Sequence, residues 1–306
     1  MIKHDKTRSA DHQTTALDAP PDLLACYWTL AGQYTFGDDD HSPWDFRDRV
    51  EAAARVGYAG VGIKQADLRR TLARHGYSGM RAILEGNGIR HLELEALFGW
   101  WTTGATRQRA DADLDLLLAT AAELGAARIK AAGDFTGASC PLEAMHDAFQ
   151  GLARAAQAVG TTMALEPIAF SSIPDINTAL AVIGASAGRG GGLMLDAWHV
   201  NRGQMPLKQI AGLTPGVLVG VELDDGTLEQ IGTPIEDTLD RRRLCGEGEF
   251  DLAGLVAAAR QAGYNGPWGV EIISTAHRKL PLAVAAERSF KTTMETLSQA
   301  VRFDPR

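Results

Sequence analysis

TTMALEP at residues 161–167 and GGLMLDAWH at residues 191–199 are short apolar runs, each with an acidic residue near its end. GVLVGVELDD at residues 216–225 and GPWGVEIIS at residues 266–274 repeat this pattern further along the chain. Uninterrupted apolar runs of this length are typical of strands buried on both faces, as in a parallel sheet. The four segments therefore predict successive parallel strands with acidic residues toward their ends.

Similar runs precede these four, and amphipathic stretches separate them all. The earlier strands are predicted at residues 23–30, 61–64, 91–97 and 126–132. Helices are predicted at residues 44–56, 65–87 with a break at 76–78, 107–124, 141–159, 206–213, 251–262 and 280–300, and after an N-cap at Asp175. Eight strands alternating with eight helical regions predict an α/β fold, the (β/α)8 TIM barrel. A doubly wound open sheet is the alternative, but eight successive units favour closure.

Glycine marks the passage from a helix to the next strand at five places. Because glycine accepts the left-handed conformation that ends a helix, these residues are predicted C-caps. They are Gly57, Gly88, Gly125, Gly160 and Gly263.

Composition and chain length limit the class of protein. The 306 residues are 45% hydrophobic and 22% charged, which is ordinary for a globular chain. Residues 1–21 are polar and end in two prolines, so they are predicted to be a flexible tail before one catalytic barrel domain at 22–306. The sequence contains neither a secretory signal nor an apolar run long enough for a membrane span, so a cytoplasmic location is expected.

The net charge bears on the possible partners, and the cysteines bear on the redox compartment. The net charge of −8 argues against binding to nucleic acid, because such proteins need basic residues to neutralise phosphates. Three widely separated cysteines match no zinc-binding spacing and favour free thiols in a reducing compartment.

The strand-end acids are the strongest indication of chemistry. The active site of a parallel barrel lies at the C-terminal ends of its strands, where Glu166, Asp196, Glu222 and Glu271 are expected to meet. Four clustered carboxylates repel one another, so a bound divalent cation is predicted, and an all-oxygen site favours Mn²⁺ or Mg²⁺. Helix capping or surface ion pairing is the alternative for any single acid, and Asp224 could replace Glu222 if the strand register differs.

Other residues near the strand ends could contact a substrate. His199 could bind the metal, donate to a substrate oxygen or act as acid or base. Lys130 and Lys64 could face the mouth, and Lys130 inside an apolar run needs an acidic partner. The tryptophans near strand ends could stack on a sugar or merely pack: Trp28, Trp100, Trp101 and Trp198. One of the arginines at 241–243 could reach the substrate.

Several segments resemble the sugar phosphate isomerase/epimerase superfamily, the xylose isomerase-like barrels. The resemblance covers most of residues 56–297 and is most specific in Asp-x-x-His at 196–199 and GEGEFDL at 246–252. It also includes LEP at 165–167, LDAWHVNRG at 195–203, VELDD at 221–225, RRRLCGEGEFDL at 241–252 and GPWGVEIIS.

The resemblance implies a role for individual residues. It implies that Glu166, Asp196, Glu222 and Glu271 hold the metal, that His199 contacts the substrate, and that Arg243 or its neighbour Arg242 does so too. Many members have histidine where this chain has Glu222, a departure that favours Mn²⁺ or Mg²⁺ and weakens assignment to the ketose 3-epimerases.

The resemblance implies a metal-dependent isomerase or epimerase of a keto-sugar or keto-cyclitol, which works by proton transfer through an enediolate. Glu166 and Glu271 would move the proton, and Trp28, Lys130, Trp101 and Arg243 would bind the substrate. A lyase is the alternative, either a dehydratase or an enzyme of β-elimination with His199 as acid. A metal-free glycoside hydrolase and a non-catalytic binding protein are weaker alternatives. The expected partner is a small carbohydrate or cyclitol, and homo-oligomerisation stays open.

Overall fold

The computed structural model describes residues 20–33, 41–135 and 141–302, without the side chains of the last two. The predicted tail therefore lies outside the described residues except for residues 20 and 21, as does Cys140.

Eight parallel strands form a closed barrel in chain order, and the first strand pairs with the last. The strands are β1 Leu23–Ala25, β2 Gly60–Lys64, β3 His91–Leu97, β4 Arg128–Ala132, β5 Thr162–Glu166, β6 Gly191–Asp196, β7 Leu218–Leu223 and β8 Trp268–Val270. The predicted TIM barrel is confirmed, and the open sheet is excluded.

Helices follow the strands and cover the outside of the barrel. They are α1 Tyr27–Leu30, α2 Phe46–Val56, α3 Gln65–Gly86, α4 Gly104–Leu124, α5 Leu142–Ala158, α6 Ile176–Ile183, α7 Ala197–Arg202, α8 Leu207–Ala211, α9 Pro234–Asp240, α10 Leu252–Gln261 and α11 Leu282–Arg302. None of the helices in the described part of the chain has an apolar stretch long enough to cross a membrane.

The local signals at helix ends behave as predicted. All five glycines predicted as caps have a positive φ, between 68° and 110°. Gly76 interrupts α3 with φ 60° and ψ 173°, at the predicted break. The side chain of Asp175 accepts a hydrogen bond from Thr178 N and caps α6.

Most strands are shorter than predicted, β8 by six residues, and β1 and β6 end early because the chain turns into a helix. After β1 the apolar residues Tyr27–Leu30 form α1, which contacts β2 and α11. Strand β6 ends at Asp196, whose carboxylate accepts from Trp198 N at 2.9 Å and starts α7. The predicted long loop after β7 contains α9, which begins with a capping box between Thr233 and Glu236.

Candidate metal centre and active site

The structure brings the four predicted carboxylates together at the C-terminal mouth of the barrel. Glu166 and Asp196 end β5 and β6, Glu222 lies in β7, and Glu271 follows β8. All four are buried, and one oxygen from each lies within 4.8 Å of the others. Four separate strands therefore converge on a volume the size of a metal ion and its ligands.

Two further acids complete the buried cluster. Glu95 in β3 accepts a hydrogen bond from Tyr27 N at 2.8 Å, and Asp224 follows β7. Glu222 and Asp224 are two residues apart, so their side chains point to the same face of the chain, and both are fully buried. A register shift of one residue would therefore not exchange one for the other. Only Glu222 belongs to the group of four with metal-ligand spacing.

Small residues make room for these carboxylates inside the barrel. A Cβ at Gly62 in β2 would lie 2.3 Å from Glu95 Oε1, and one at Gly269 in β8 would lie 2.7 Å from Glu222 Cγ. Both glycines therefore allow a neighbouring acidic side chain to fill the space inside the barrel. Cys26 also contributes, because its Sγ donates to Glu222 Oε1 at 2.9 Å.

Lys130 is the first of two buried cations in the cluster. Its Nζ lies 2.7 Å from Glu222 Oε1, 2.9 Å from Glu271 Oε1 and 3.2 Å from Glu95 Oε2. Burial alone would lower the pKa of this ammonium, but the surrounding carboxylates raise it well above its ordinary value. Lys130 therefore stays protonated. Its position in an apolar run predicted that it would need an acidic partner, and the structure provides three.

Arg242 is the second cation. Its Nη1 lies 2.6 Å from Asp196 Oδ2, 2.6 Å from Asp224 Oδ2 and 3.0 Å from Glu271 Oε2. The structure does not bring Arg243, the predicted substrate residue, into the mouth. Arg243 is exposed and donates to Glu247 O at 3.2 Å, because neighbouring residues of this extended segment point in opposite directions.

The acids in this cluster outnumber the cations. Among the described residues, Lys130 and Arg242 are the cations that contact these acids, which are Glu95, Glu166, Asp196, Glu222, Asp224 and Glu271; Glu93 lies 4.0 Å from Lys130 and pairs with Arg128. Burial raises the pKa of Glu166 to about 8 and that of Glu95 to about 7, and neighbouring carboxylates add to both effects. Burial likewise raises the pKa values of Glu222 and Asp224 well above their ordinary range. A positive ion would relieve this excess of negative charge.

Unpaired oxygen atoms show that the cluster fits a divalent cation. Glu222 Oε2 is buried without a hydrogen-bond partner among the described residues. In the described part of the chain we find no hydrogen-bond donor to Glu166, from whose Oε1 His199 Nε2 is 3.8 Å away. Buried carboxylate oxygens without donors are costly unless a cation binds them. Glu166, Asp196 and His199 form a second group with ligand spacing, so His199 could replace one carboxylate.

His199 is neutral in this environment. Burial and the nearby Arg242 lower its pKa well below the ordinary value. Its Nδ1 has no partner among the described residues. The ring lines the mouth and can donate a hydrogen bond to a substrate oxygen, as the sequence predicted for one of its three possible roles.

A cavity of about 300 Å³ opens above the carboxylates. Its polar floor consists of Glu95, Lys130, Glu166, His199, Arg242 and Glu271. Trp28 lines its wall, with Lys64 Nζ 4.7 Å from the centre of the indole ring. Trp101, the other predicted tryptophan, packs edge-on against Trp100 at 4.6 Å and does not line the cavity.

Comparison with known proteins agrees with this architecture. A family model described as the xylose isomerase-like TIM barrel matches residues 50–299. The chain belongs to this family. No curated protein matches its sequence.

Solved structures of this barrel type superpose on the chain at low sequence identity. An IolI protein with a bound zinc atom has a TM-score of 0.79 and 19% identity, over 91% of this chain and 99% of that one. A D-psicose 3-epimerase in the presence of D-fructose has a TM-score of 0.70 and 14% identity, over 90% and 98%.

A fusion of a xylose isomerase-like TIM barrel with a 4-hydroxyphenylpyruvate dioxygenase has a TM-score of 0.78 and 18% identity. The match covers 94% of this chain but only 44% of the fusion protein. At these identities the likeness shows a shared fold.

Several residues inside the barrel and at its mouth were not predicted from the sequence. Glu93 and Glu95 alternate with leucines in HLELEAL, a pattern that directs both acids into the barrel and could have revealed them. The aromatic residues Phe98, Phe135 and Phe170 also line the cavity. They lie in the segments after β3, β4 and β5, where barrels place substrate-binding residues.

Proposed function

We propose that this protein is a divalent-metal-dependent isomerase or epimerase of a keto-sugar or keto-cyclitol. The observation that carries the proposal is the group of four buried carboxylates, Glu166, Asp196, Glu222 and Glu271, of which two line an open cavity. Two of them, Glu166 and Glu271, line that cavity and can reach the carbon atoms of a bound substrate.

These four carboxylates would hold the metal, with His199 as a further donor near Glu166 and Asp196. A bound divalent ion would polarise a ketone and make the adjacent C–H acidic. The oxygen-rich donor set supports Mn²⁺ or Mg²⁺. The zinc atom in the IolI protein makes Zn²⁺ the ion to compare.

Glu166 is the base of the proposed reaction. No described residue engages its carboxylate in a hydrogen bond, so an oxygen is available to remove a proton from the carbon beside the ketone. Glu271 would begin the cycle protonated and give its proton to the opposite face or to the next carbon, and proton exchange of both glutamates with solvent would restore the starting state. Lys130 and Arg242 keep positive charge within 3.0 Å of Glu271, where they stabilise negative charge that develops on the substrate.

A lyase acting through the same first step is the second candidate. The cavity continues outward from the floor past Phe98, Phe135 and Ile235, which leaves room for a group that departs from the substrate. Against a metal-free hydrolase, the buried carboxylates at the mouth outnumber Lys130 and Arg242, and without an added ion this excess of negative charge would stay uncompensated.

Proton exchange in deuterated water tests the proposal. The metal-loaded protein is incubated with a panel of ketoses and inososes, and the substrate mass and NMR spectrum are followed. An isomerase gives a deuterated product of otherwise unchanged composition, whereas a lyase releases water or a larger group. Glu166→Gln is expected to slow exchange by about 10²–10⁴-fold.

Glu143→Gln on the exposed face of α5 is the control, and it is expected to react like the wild type. Exchange by the Glu166→Gln variant at the wild-type rate would contradict the assignment of the base.

A further inference from the structure

The cavity has two chemically different levels. Its floor carries the charged groups, whereas its outer wall consists mainly of apolar side chains. We call the outer group the apolar rim, defined as Phe98, Phe135, Phe170, Ile235 and Leu239. The function proposed above accounts for the floor and assigns nothing to the rim.

One wall of the apolar rim is a continuous row of aromatic rings that begins at the floor. The ring centroids of His199 and Phe170 are 6.0 Å apart, those of Phe170 and Phe135 are 5.4 Å apart, and those of Phe135 and Phe98 are 5.9 Å apart. These distances are within the range of favourable ring contacts. The row therefore leads from the reactive floor to the outer edge of the mouth.

The opposite wall is aliphatic. Ile235 and Leu239 come from α9, and α9 lies between β7 and β8 in the chain. The ring row and α9 therefore both contribute apolar surface to the same cavity. Apolar surface at the entrance of a cavity is typical of a site that binds an apolar ligand group.

Three of the five rim residues are exposed although they are large and apolar, whereas Phe170 and Leu239 are half-buried. Phe98 is 39% exposed, Phe135 44% and Ile235 50%. These side chains therefore do not complete the hydrophobic core. A ligand placed between them would remove this surface from water, at about 25 cal/mol for each Å² buried.

A free keto-sugar does not match both levels. Its hydroxyl groups would pair well on the charged floor, but at the rim they would face phenyl rings and aliphatic side chains. Hydroxyls that lose water without gaining a partner oppose binding. The cavity of about 300 Å³ lies within the range of cavities that bury drug-sized ligands.

From the ring row, the aliphatic wall and the exposure of both, we propose that the apolar rim binds a planar aromatic group carried by the substrate. The oxygen-bearing head of the same molecule lies on the carboxylate floor. The inference rests on the proposed function for the head, but binding of the aromatic group requires neither the metal nor turnover.

Paired glucosides test the rim directly. Phenyl β-D-glucopyranoside and methyl β-D-glucopyranoside share one head and differ in the group that would reach the rim. Binding is measured by ligand-detected NMR titration with the full chain, with and without Mn²⁺. The phenyl compound is expected to bind about tenfold more tightly, which corresponds to about 1.4 kcal/mol.

Substitutions in the apolar rim test whether the rim causes the difference in affinity between the two glucosides. Phe135→Ala and Phe170→Ala are expected to reduce the preference for the phenyl compound to about twofold or less, since each removes one ring of the row. Phe135→Leu, which keeps an apolar side chain, should retain part of the preference for the phenyl compound. Leu142→Ala is the matched control, because Leu142 is also 44% exposed but lies outside the cavity.

Three results would overturn the inference. These are equal binding of the two glucosides, no detectable binding of the phenyl compound at millimolar concentration, and equally tight binding of a disaccharide, which would make the rim a sugar subsite. Failure of the proposed function looks different, because proton exchange would then not depend on Glu166 while the phenyl preference persisted.

Discussion

The ammonium of Lys130 lies 2.7 Å from Oε1 of Glu222, and both side chains are buried at the centre of the barrel mouth. This contact places an internal cation among the carboxylates that are proposed to hold a metal. Lys130 and a divalent ion would therefore neutralise the same carboxylates. We expect a protein without the Lys130 ammonium to depend more strongly on the ion for its stability, and a protein without the ion to depend more strongly on Lys130.

Removing the ammonium should make the fold depend on metal. Lys130→Met keeps an unbranched side chain of similar length but leaves Glu222 without a cation and Glu271 with Arg242 alone. We expect the metal-free variant to lose about 3–5 kcal/mol of unfolding free energy, the usual effect of breaking a buried ion pair. Added Mn²⁺ should restore part of it. Urea unfolding measures this, and Lys208→Met on the exposed side of α8 is the control. Equal stability of Lys130→Met and the wild type would exclude the role of Lys130 as internal cation.

Metal binding should stabilise the fold through Glu166. We expect chelation to lower the melting temperature and Mn²⁺ or Mg²⁺ to raise it again, since an ion at 100 times its Kd adds about 2.7 kcal/mol. Zn²⁺ should be compared in the same experiment. Glu166→Gln should abolish the response, and Glu143→Gln should keep it. A wild-type protein whose melting temperature does not respond to any of these ions would contradict the metal site.

The metal-free protein should lose stability as the pH rises. The folded pKa values of Glu95 and Glu166 are raised to about 7 and about 8, above the ordinary value of 4.5. The folded protein then holds protons that the unfolded chain has released, so the free energy of unfolding falls as pH increases through these values. Denaturant unfolding between about pH 7.5 and pH 9 should show this decline, and bound metal should reduce it.

The chosen pH range avoids an opposing effect. Burial lowers the pKa of His277 to about 4, so its contribution to stability is lost as pH falls from 6.5 toward 4. His199, whose pKa burial also lowers, acts in the same direction, and both histidines are almost entirely neutral in the folded and the unfolded state only above about pH 7.5. In the metal-free wild type, stability that stays constant or rises between about pH 7.5 and pH 9 would contradict the raised carboxyl pKa values.

The neighbouring arginines should respond very differently to the same change. Arg242→Gln removes a buried cation from Asp196, Asp224 and Glu271, and we expect it to cost about 3–5 kcal/mol of unfolding free energy. Arg243→Gln changes an exposed side chain and should stay within about 0.5 kcal/mol of the wild type. Thermal and urea unfolding of both variants give the comparison. Similar losses in the two would contradict the placement of Arg242 at the site.

Much of the fold could be predicted because its signals are local. Apolar runs, capping glycines and the N-cap at Asp175 depend on residues close together in the chain, and they predicted eight strands in the right order. The segments after β1 and β6 were misjudged, because Tyr27–Leu30 and Ala197–Arg202 are apolar enough to continue a strand yet form helices. Tertiary packing and the cap at Asp196 decided those two cases.

The sequence alone determined that Glu166, Asp196, Glu222 and Glu271 would share one end of the barrel. Strand ends of a closed parallel sheet must meet, wherever the strands lie in the chain. Only the tertiary structure decided what surrounds them. Side-chain directions and loop paths decide three features of the mouth. They decide whether Lys130 reaches Glu222, whether Arg242 or Arg243 points inward, and whether phenylalanines from three loops align. Contacts between residues far apart in the chain set those directions, and spacing along the sequence does not encode them.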